Sequence, residues 1–363
     1  MIALTLSGGG SRAIAFHLGC LRALHDRGVL EKVSVISAVS GGSVIAGIYA
    51  YRNNSFEEFD LAVIELLRRG LQHAALRHLF SPHLLARIVV TNLISRPVAA
   101  VAKVLGSEPP LRRWASRTDA LEESLRDLFG ELHLPQVARP NLDVIFNACE
   151  LRTGTAFRFG NERSGTWRLG EIKENQVFVA HAVACSAAYP MFLPALDREY
   201  EFTRDGSTQR MRVVVTDGGV YDNLGLSCVE PGRDRRYHLH VYEPHYIICC
   251  HAGQGQFDGK KIPYGFYSRT SAAFESVFRK AQDASVNRLH MHLRAGRIKG
   301  FVLPYLGQQD QSLPIRPPDL VTRDEVAGYP TDFAGMHANK MERLTRRGEQ
   351  LTRILLNHYC PEI

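Results

Sequence analysis

The chain lacks the marks of several protein classes. Its seven cysteines contain no C-x-x-C pair and are odd in number. That excludes zinc-site spacing and a disulfide framework, and leaves buried free thiols in a reducing compartment as the expectation. No apolar run is long enough to be expected to span a bilayer. The best, Leu84 to Leu105, is interrupted by Arg87, Arg96, Pro97 and Lys103. Ile2–Leu6 is too short for the core of a secretion signal, and glycines follow at once. The expected location is therefore cytoplasmic, with peripheral membrane contact allowed and export without an N-terminal signal left open. There is no internal repeat and no low-complexity tract.

Nucleotide and nucleic-acid motifs fail as well. A glycine loop at Gly8-Gly9-Gly10 is not followed by glycine-lysine-serine/threonine, so it is no Walker loop. As G-x-G-x-x-G it ends on Ala13, which breaks the dinucleotide spacing. Between Phe80 and Arg117 the only aromatic is Trp114, so no base-stacking platform is present and no nucleic acid is expected.

What is present is an ordinary globular composition, 45% apolar and 22% charged, enough for a large core. The formal net charge is +7. It is concentrated between Leu61 and Arg117, where nine basic residues face only Glu65 and Glu108. Apolar residues from Ile88 to Leu105 alternate there with Arg87, Arg96 and Lys103, the pattern of an interfacial helix on an anionic membrane.

Local patterns predict an α/β chain. Ile2–Leu6 reads as a strand, Ser11 to Arg27 as a helix stopped at Gly28, Val33–Ala38 as a second strand, and the stretch to Tyr51 as a second helix. Strand, helix, strand, helix argues for a parallel sheet with helical crossovers. Ser55-Phe56-Glu57-Glu58 is a capping box opening a helix towards Gly70. The basic stretch reads as several helices, and Asp119 to Phe129 as one more. Strands are expected at 141–149, 156–159, 211–216 and 246–250, and helices at 178–188, 268–293 and 336–359. Gln308–Thr322, with three prolines, is the expected exposed loop. One domain over 1–363 is expected, with a basic helical cap inserted at about 56–130 and a helical extension at about 265–363.

Three short segments carry chemistry. Ser7-Gly8-Gly9-Gly10-Ser11-Arg12 lies between a strand and a helix, where bare N–H groups and the helix dipole favour an anion or an oxyanion. Ala38-Val39-Ser40-Gly41-Gly42 joins a strand end to a helix. A strained nucleophile elbow needs that context, with small residues two positions either side of the serine. Ala38 and Gly42 meet the need; Ser37 and Ser43 lack such neighbours. Asp217-Gly218-Gly219 again closes a strand, and would share the sheet edge with Ser40 if the two strands were parallel neighbours. Each segment alone has an ordinary reading: a tight turn, a helix N-cap serine, an aspartate-glycine turn. Among fifteen histidines, His17 is nearest to a motif and reads as a helix-face or core residue; His181, His251, His290 and His292 have no supporting spacing.

Taken in order, Gly8-Gly9-Gly10-Ser11-Arg12, Ala38-Val39-Ser40-Gly41-Gly42 and Asp217-Gly218-Gly219 resemble the patatin-like phospholipase family, which includes the cytosolic phospholipase A2 catalytic domains. Ser186-Ala187-Ala188-Tyr189-Pro190 and Tyr221-Asp222-Asn223 are softer similarities. The resemblance covers roughly Met1 to Gly225. It implies a three-layer α/β fold with a central, mostly parallel sheet, helices on both faces and a helical cap. It further implies a serine lipid acyl hydrolase acting on phospholipid or lysophospholipid through a Ser40–Asp217 dyad without histidine, metal or cofactor. The N–H groups of Gly8, Gly9, Gly10 and Gly41 would hold the oxyanion, and Arg12 would contact substrate phosphate. Ala38 departs from the family's glycine at that position and adds a Cβ at the tightest point of the elbow. An acyltransferase using the same acyl-enzyme and a non-catalytic membrane- or anion-binding member are the alternatives.

Overall fold

The computed structural model describes residues 1–363 apart from 53–54, 108, 256–258 and 260–261. Four parallel strand pairings build its centre. Strand β1 (Ile2–Leu6) lies between β2 (Val33–Ala38) and β9 (Tyr246–Cys250), β10 (Gly300–Val302) flanks β9, and β3 (Asp143–Glu150) flanks β2. From β3 the sheet continues antiparallel through β4 (Thr155–Gly160), β5 (Ser164–Thr166), β6 (Gly170–Ile172), β7 (Leu196–Arg204) and β8 (Ser207–Asp217). Strand β8 then returns to β3.

The central strands are buried on both faces, as parallel strands under helical crossovers must be. Leu4, Leu6, Ile36, Ile248 and Cys250 face one core, which also holds α1 (Gly10–Asp26), α2 (Gly41–Tyr51) and the C-terminal helix α12 (Ala338–Tyr359). Ala3, Val35, Ile247 and Cys249 face the other, with Leu224, Leu226 and Leu289. Leu289 lies on the long helix α10 (Phe266–Arg294). Short helices α8 (Val179–Ser186), α9 (Gly219–Asp222) and α11 (Arg323–Val326) also lie outside the cap.

The segment after 265 is no appendage. Helix α12 crosses α1 so closely that a Cβ on Gly19 would lie 1.8 Å from the Thr345 carbonyl oxygen, and one on Gly348 would lie 2.1 Å from that of Phe16. The cap is also narrower than 56–130. Helix α3 (Phe56–Arg69) buries Phe59, Val63 and Leu67 in the main core, and α7 (Arg117–Phe129) buries Leu125 and Phe129 there. The capping box expected at Ser55 is formed, and a second, closed by Ser116 and Asp119, opens α7 two residues before the expected start at Asp119. What projects is α4 (Leu71–Leu79), α5 (Pro82–Val90) and α6 (Arg96–Val104).

One expectation is overturned here. A π-helical turn, Thr91–Ser95, joins α5 to α6, so Pro82–Val104 forms a single 23-residue helix long and apolar enough to cross a membrane, with 17% of its apolar window buried. Pro97 does not break it; the π-helical turn lies directly before it, and such irregular turns are where helices accommodate a proline. The 308–322 segment is only partly exposed; Leu313 and Val321 reach the core.

Candidate active site

Two strand ends meet head to head. Strand β4 occupies one edge of β3 from Ile145 to Glu150. On the other edge β2 pairs parallel as far as Ala38↔Phe146, and β8 pairs antiparallel from Ala148↔Asp217 onward. Strand β8 is thus not the parallel neighbour of β2 that the sequence argument required. It enters from beyond the sheet edge and ends facing β2, which brings Asp217 to the turn that follows Ala38.

Asn147 fills the junction. Its Nδ2 donates to Ser37 Oγ (2.8 Å) and to the Ala38 carbonyl (3.0 Å). A Cβ on Gly218 would lie 2.2 Å from the Asn147 carbonyl oxygen, so only glycine fits there. Ser186, at the end of α8, ties both sides together. Its Oγ accepts the Ser40 N–H (3.0 Å) and donates to the Asn147 carbonyl (2.6 Å), while its own carbonyl accepts the Gly218 N–H (3.3 Å). Asn147 carries no sequence signal of its own, and the hint for Ser186 was only the softer similarity around it.

Ser40 has φ 53° and ψ −119°, a backbone conformation that non-glycine residues avoid and that costs about 1–3 kcal/mol. Tight packing holds it: a Cβ on Gly41 would lie 2.3 Å from the Gly10 carbonyl oxygen, and one on Gly42 the same distance from that of Leu6. Ala38 is accommodated, because its side chain joins the buried core. Ser37 and Ser43 are fully buried; Ser43 Oγ bonds Ser186 Oγ at 2.8 Å, and Ser37 Oγ donates to the Gly225 carbonyl at 2.6 Å.

Asp217 is 2% exposed. Its Oδ1 accepts the Gly219 N–H at 2.7 Å. Ser40 lies close enough to help hold the carboxylate charged, but among the described residues no donor closes a regular hydrogen bond on the buried Oδ2. Burial raises the carboxyl to about 7, against the opposing pull of Gly219 and Ser40. A group with that affinity for protons is suited to general-base work near neutral pH.

The glycine loop divides into two roles. Among the described residues, the N–H groups of Gly9, Gly10 and Gly41 have no hydrogen-bond acceptor; Gly10 and Gly41 open α1 and α2. Gly8 differs from the expectation: its N–H is bonded to the Asn223 carbonyl at 3.2 Å, so it is no oxyanion donor. Its need for glycine is steric, since a Cβ would lie 2.4 Å from Asn223 Oδ1 and 3.3 Å from the Ser40 Cβ. Asn223 Oδ1 also lies where a Cβ on Gly219 would point, so this residue braces both halves of the site.

Arg12 is a further correction. It is buried, and its guanidinium donates to the carbonyls of Ala252 (3.0 Å) and Tyr329 (2.9 Å) and to Thr331 Oγ1 (2.7 Å). Burial pulls it down to about 10. These bonds make it a strut between the glycine loop and the C-terminal segment rather than a contact for substrate phosphate. The histidines behave as the sequence suggested: His17 bonds the Ser7 carbonyl, His181 is locked against Glu122 and Tyr200, and His251 stacks on Tyr305. Among the described residues none hydrogen-bonds Ser40 or Asp217.

Above the site lies the first half of α10. Phe278 approaches Gly219, and Phe274 stacks on Phe278 and meets Tyr189 edge-on.

Comparisons with known proteins bear on the family and the fold. The patatin-like phospholipase family signature matches residues 4–227. Among solved structures, human GIVD cytosolic phospholipase A2 aligns with 98% of this chain and 61% of its own, at a TM-score of 0.53 and 13% identity. The same human protein in complex with methyl gamma-linolenyl fluorophosphonate aligns over 98% and 57%, with a TM-score of 0.50 and 12% identity. VipD from Legionella pneumophila aligns over 98% and 67%, with a TM-score of 0.41 and 15% identity. At such identities the likeness is one of fold. No curated protein sequence matches the chain.

Proposed function

The chain belongs to the patatin-like phospholipase family, and from that premise we propose a lipid acyl hydrolase that cleaves fatty acyl esters of phospholipids or lysophospholipids through Ser40 and Asp217. The observation that carries this reading is the junction of β2 and β8, where a strained serine meets a buried, proton-avid carboxylate.

In the proposed reaction Ser40 Oγ attacks the ester carbonyl carbon, and its proton passes to Asp217 Oδ2. The carbonyl oxygen becomes an oxyanion, received by the N–H groups of Gly9, Gly10 and Gly41. Two helix N-termini, those of α1 and α2, add favourable field. Collapse breaks the ester C–O bond, and the departing alcohol takes the proton from Asp217. Water then gives a proton to Asp217 and attacks the acyl-enzyme. Release of the fatty acid returns the proton to Ser40.

The acyl chain would lie along Tyr189, Phe274 and Phe278. Ser40 is only 7% exposed, so entry requires these aromatics to part. The cap would rest on an anionic membrane, its exposed Leu93 and Val104 in the interface and Arg87, Arg96 and Lys103 towards the head groups.

A long-chain fluorophosphonate with peptide mapping tests the reading. One adduct, on Ser40, is expected, and Ser40→Ala should lose both the adduct and fatty-acid release from phospholipid liposomes. An adduct on a different serine, or wild-type release by Ser40→Ala, would overturn it.

A further inference from the structure

Behind the glycine loop, on the face of the sheet away from α10, three side chains with metal-binding atoms converge. His17 and Cys20 are one helical turn apart on α1. Cys250 ends β9 on the α1 side of the sheet, alongside Leu4 and Leu6. All three are fully buried. Their donor atoms lie within 4.8 Å of one another.

A second observation separates this cluster from thiols that merely fill space. His17 Nε2 lies 2.9 Å from the Ser7 carbonyl oxygen. A carbonyl only accepts, so Nε2 carries the proton, and in the neutral ring Nδ1 presents a lone pair. That Nδ1 is buried and, among the described residues, has no hydrogen-bond partner. An imidazole with one nitrogen donating to a backbone carbonyl and the other bare is oriented as metal-ligating histidines are.

We propose that His17 Nδ1, Cys20 Sγ and Cys250 Sγ supply three protein ligands to a thiophilic d10 cation, Zn²⁺ or Cu⁺. Metal–sulfur distances of about 2.3 Å and metal–nitrogen distances of about 2.0–2.1 Å, at trigonal or tetrahedral angles, set the ligands roughly 3.5–4 Å apart, inside the observed cluster. Two thiolates and an imidazole are soft donors, which disfavours Mg²⁺ and Ca²⁺. Coordination displaces the two thiol protons; with Zn²⁺ the buried site is then neutral, and with Cu⁺ it carries one negative charge.

The site is coupled to the glycine loop. Ser7, which leads into Gly8, gives its N–H to the Cys250 carbonyl (3.1 Å) and its carbonyl to His17, while its Oγ accepts the Ala252 N–H (2.8 Å). A bound ion would fix His17 and Cys250, two of the residues that hold the base of this loop. The inference does not rest on the proposed hydrolase reaction.

The test uses the full chain, reduced and stripped with chelator. Co²⁺, as the spectroscopic stand-in for Zn²⁺, should bind at one equivalent with thiolate-to-cobalt absorption from two sulfurs. Zn²⁺ should displace it and raise Tm, and competition with a Cu⁺ chelator reads the Cu⁺ arm. Cys250→Ser and Cys20→Ser should weaken binding at least 100-fold, while Cys149→Ser, a buried cysteine elsewhere, should leave it unchanged. Folding of each variant is checked by circular dichroism; should the ligand variants fail to fold, wild type and Cys149→Ser decide through stoichiometry and sulfur count. The proposal is overturned if folded wild type takes up neither Zn²⁺ nor Cu⁺ at micromolar concentration, if Cys250→Ser binds as wild type does, or if the cysteines only form a disulfide under peroxide.

Discussion

Ser186 Oγ accepts the backbone N–H of Ser40 at 3.0 Å, so the strained elbow is pinned by a side chain distant in sequence. The Ser186 carbonyl meanwhile accepts the Gly218 N–H. One residue at the end of α8 therefore sets the spacing between the serine turn and the aspartate turn. Ser186→Ala should cost about 1–3 kcal/mol of stability, because buried partners lose their acceptor. If Ser186 positions Ser40, kcat and the fluorophosphonate labelling rate should fall about 10–100-fold well below Tm with little change in KM. A loss of stability with an unchanged labelling rate would make Ser186 merely structural.

Asp217 is raised to about 7 from 3.8 because it is buried. Between those values the native protein holds a proton that the unfolded chain has released. Stability therefore falls as pH rises through this window. Above 7 the buried carboxylate costs the native state about 4 kcal/mol, an order-of-magnitude figure. Asp217→Asn removes the charge and keeps an acceptor for the Gly219 N–H. It should abolish hydrolysis yet raise Tm at pH 8, with the gain fading towards pH 4. Equal Tm shifts at both pH values would contradict this.

The same carboxyl predicts the acid limb of the rate profile. As a base it must be ionised, so kcat/KM should rise with pH along a single-proton limb of midpoint near 7. Hydrolysis of a soluble ester from pH 5 to 9 checks it; a flat profile would remove Asp217 from the role of base.

Arg12 gives a contrast between holding the fold and holding the substrate. Its three hydrogen bonds to Ala252, Tyr329 and Thr331 predict that Arg12→Ala lowers Tm. The ratio of activity on phospholipid to activity on a neutral ester should stay constant. A selective rise in KM for phospholipid, with Tm unchanged, would restore the phosphate-contact role.

The cap helix exposes Leu93 at 70% and Val104 at 87%. Replacing both with aspartate should reduce binding to phosphatidylserine vesicles at least tenfold and leave soluble-ester hydrolysis intact. Replacing Arg87, Arg96 and Lys103 with glutamine should weaken the salt-dependent part, at about 1 kcal/mol per charge. Unchanged vesicle binding in both variants would remove the cap from the interface.

Much was legible in the amino-acid order because the signals are local. Glycines that only a tight turn explains, a serine between small residues, the capping box at Ser55, and short apolar strand runs each act within a few residues. These determine the glycine loop, the elbow, the aspartate turn and the helices and strands that carry them. What tertiary structure alone decided is which distant groups meet. Asp217 reaches Ser40 because β8 runs antiparallel into the open edge of β3, a pairing set by register and not by any residue near 217. Asn147 and Ser186 became the hub, and Gly8 lost its N–H to Asn223, because those neighbours come from other strands and helices. Arg12 turned from ligand into strut for the same reason: its acceptors lie in a segment far along the chain, and burial leaves a guanidinium no stable choice but to satisfy them.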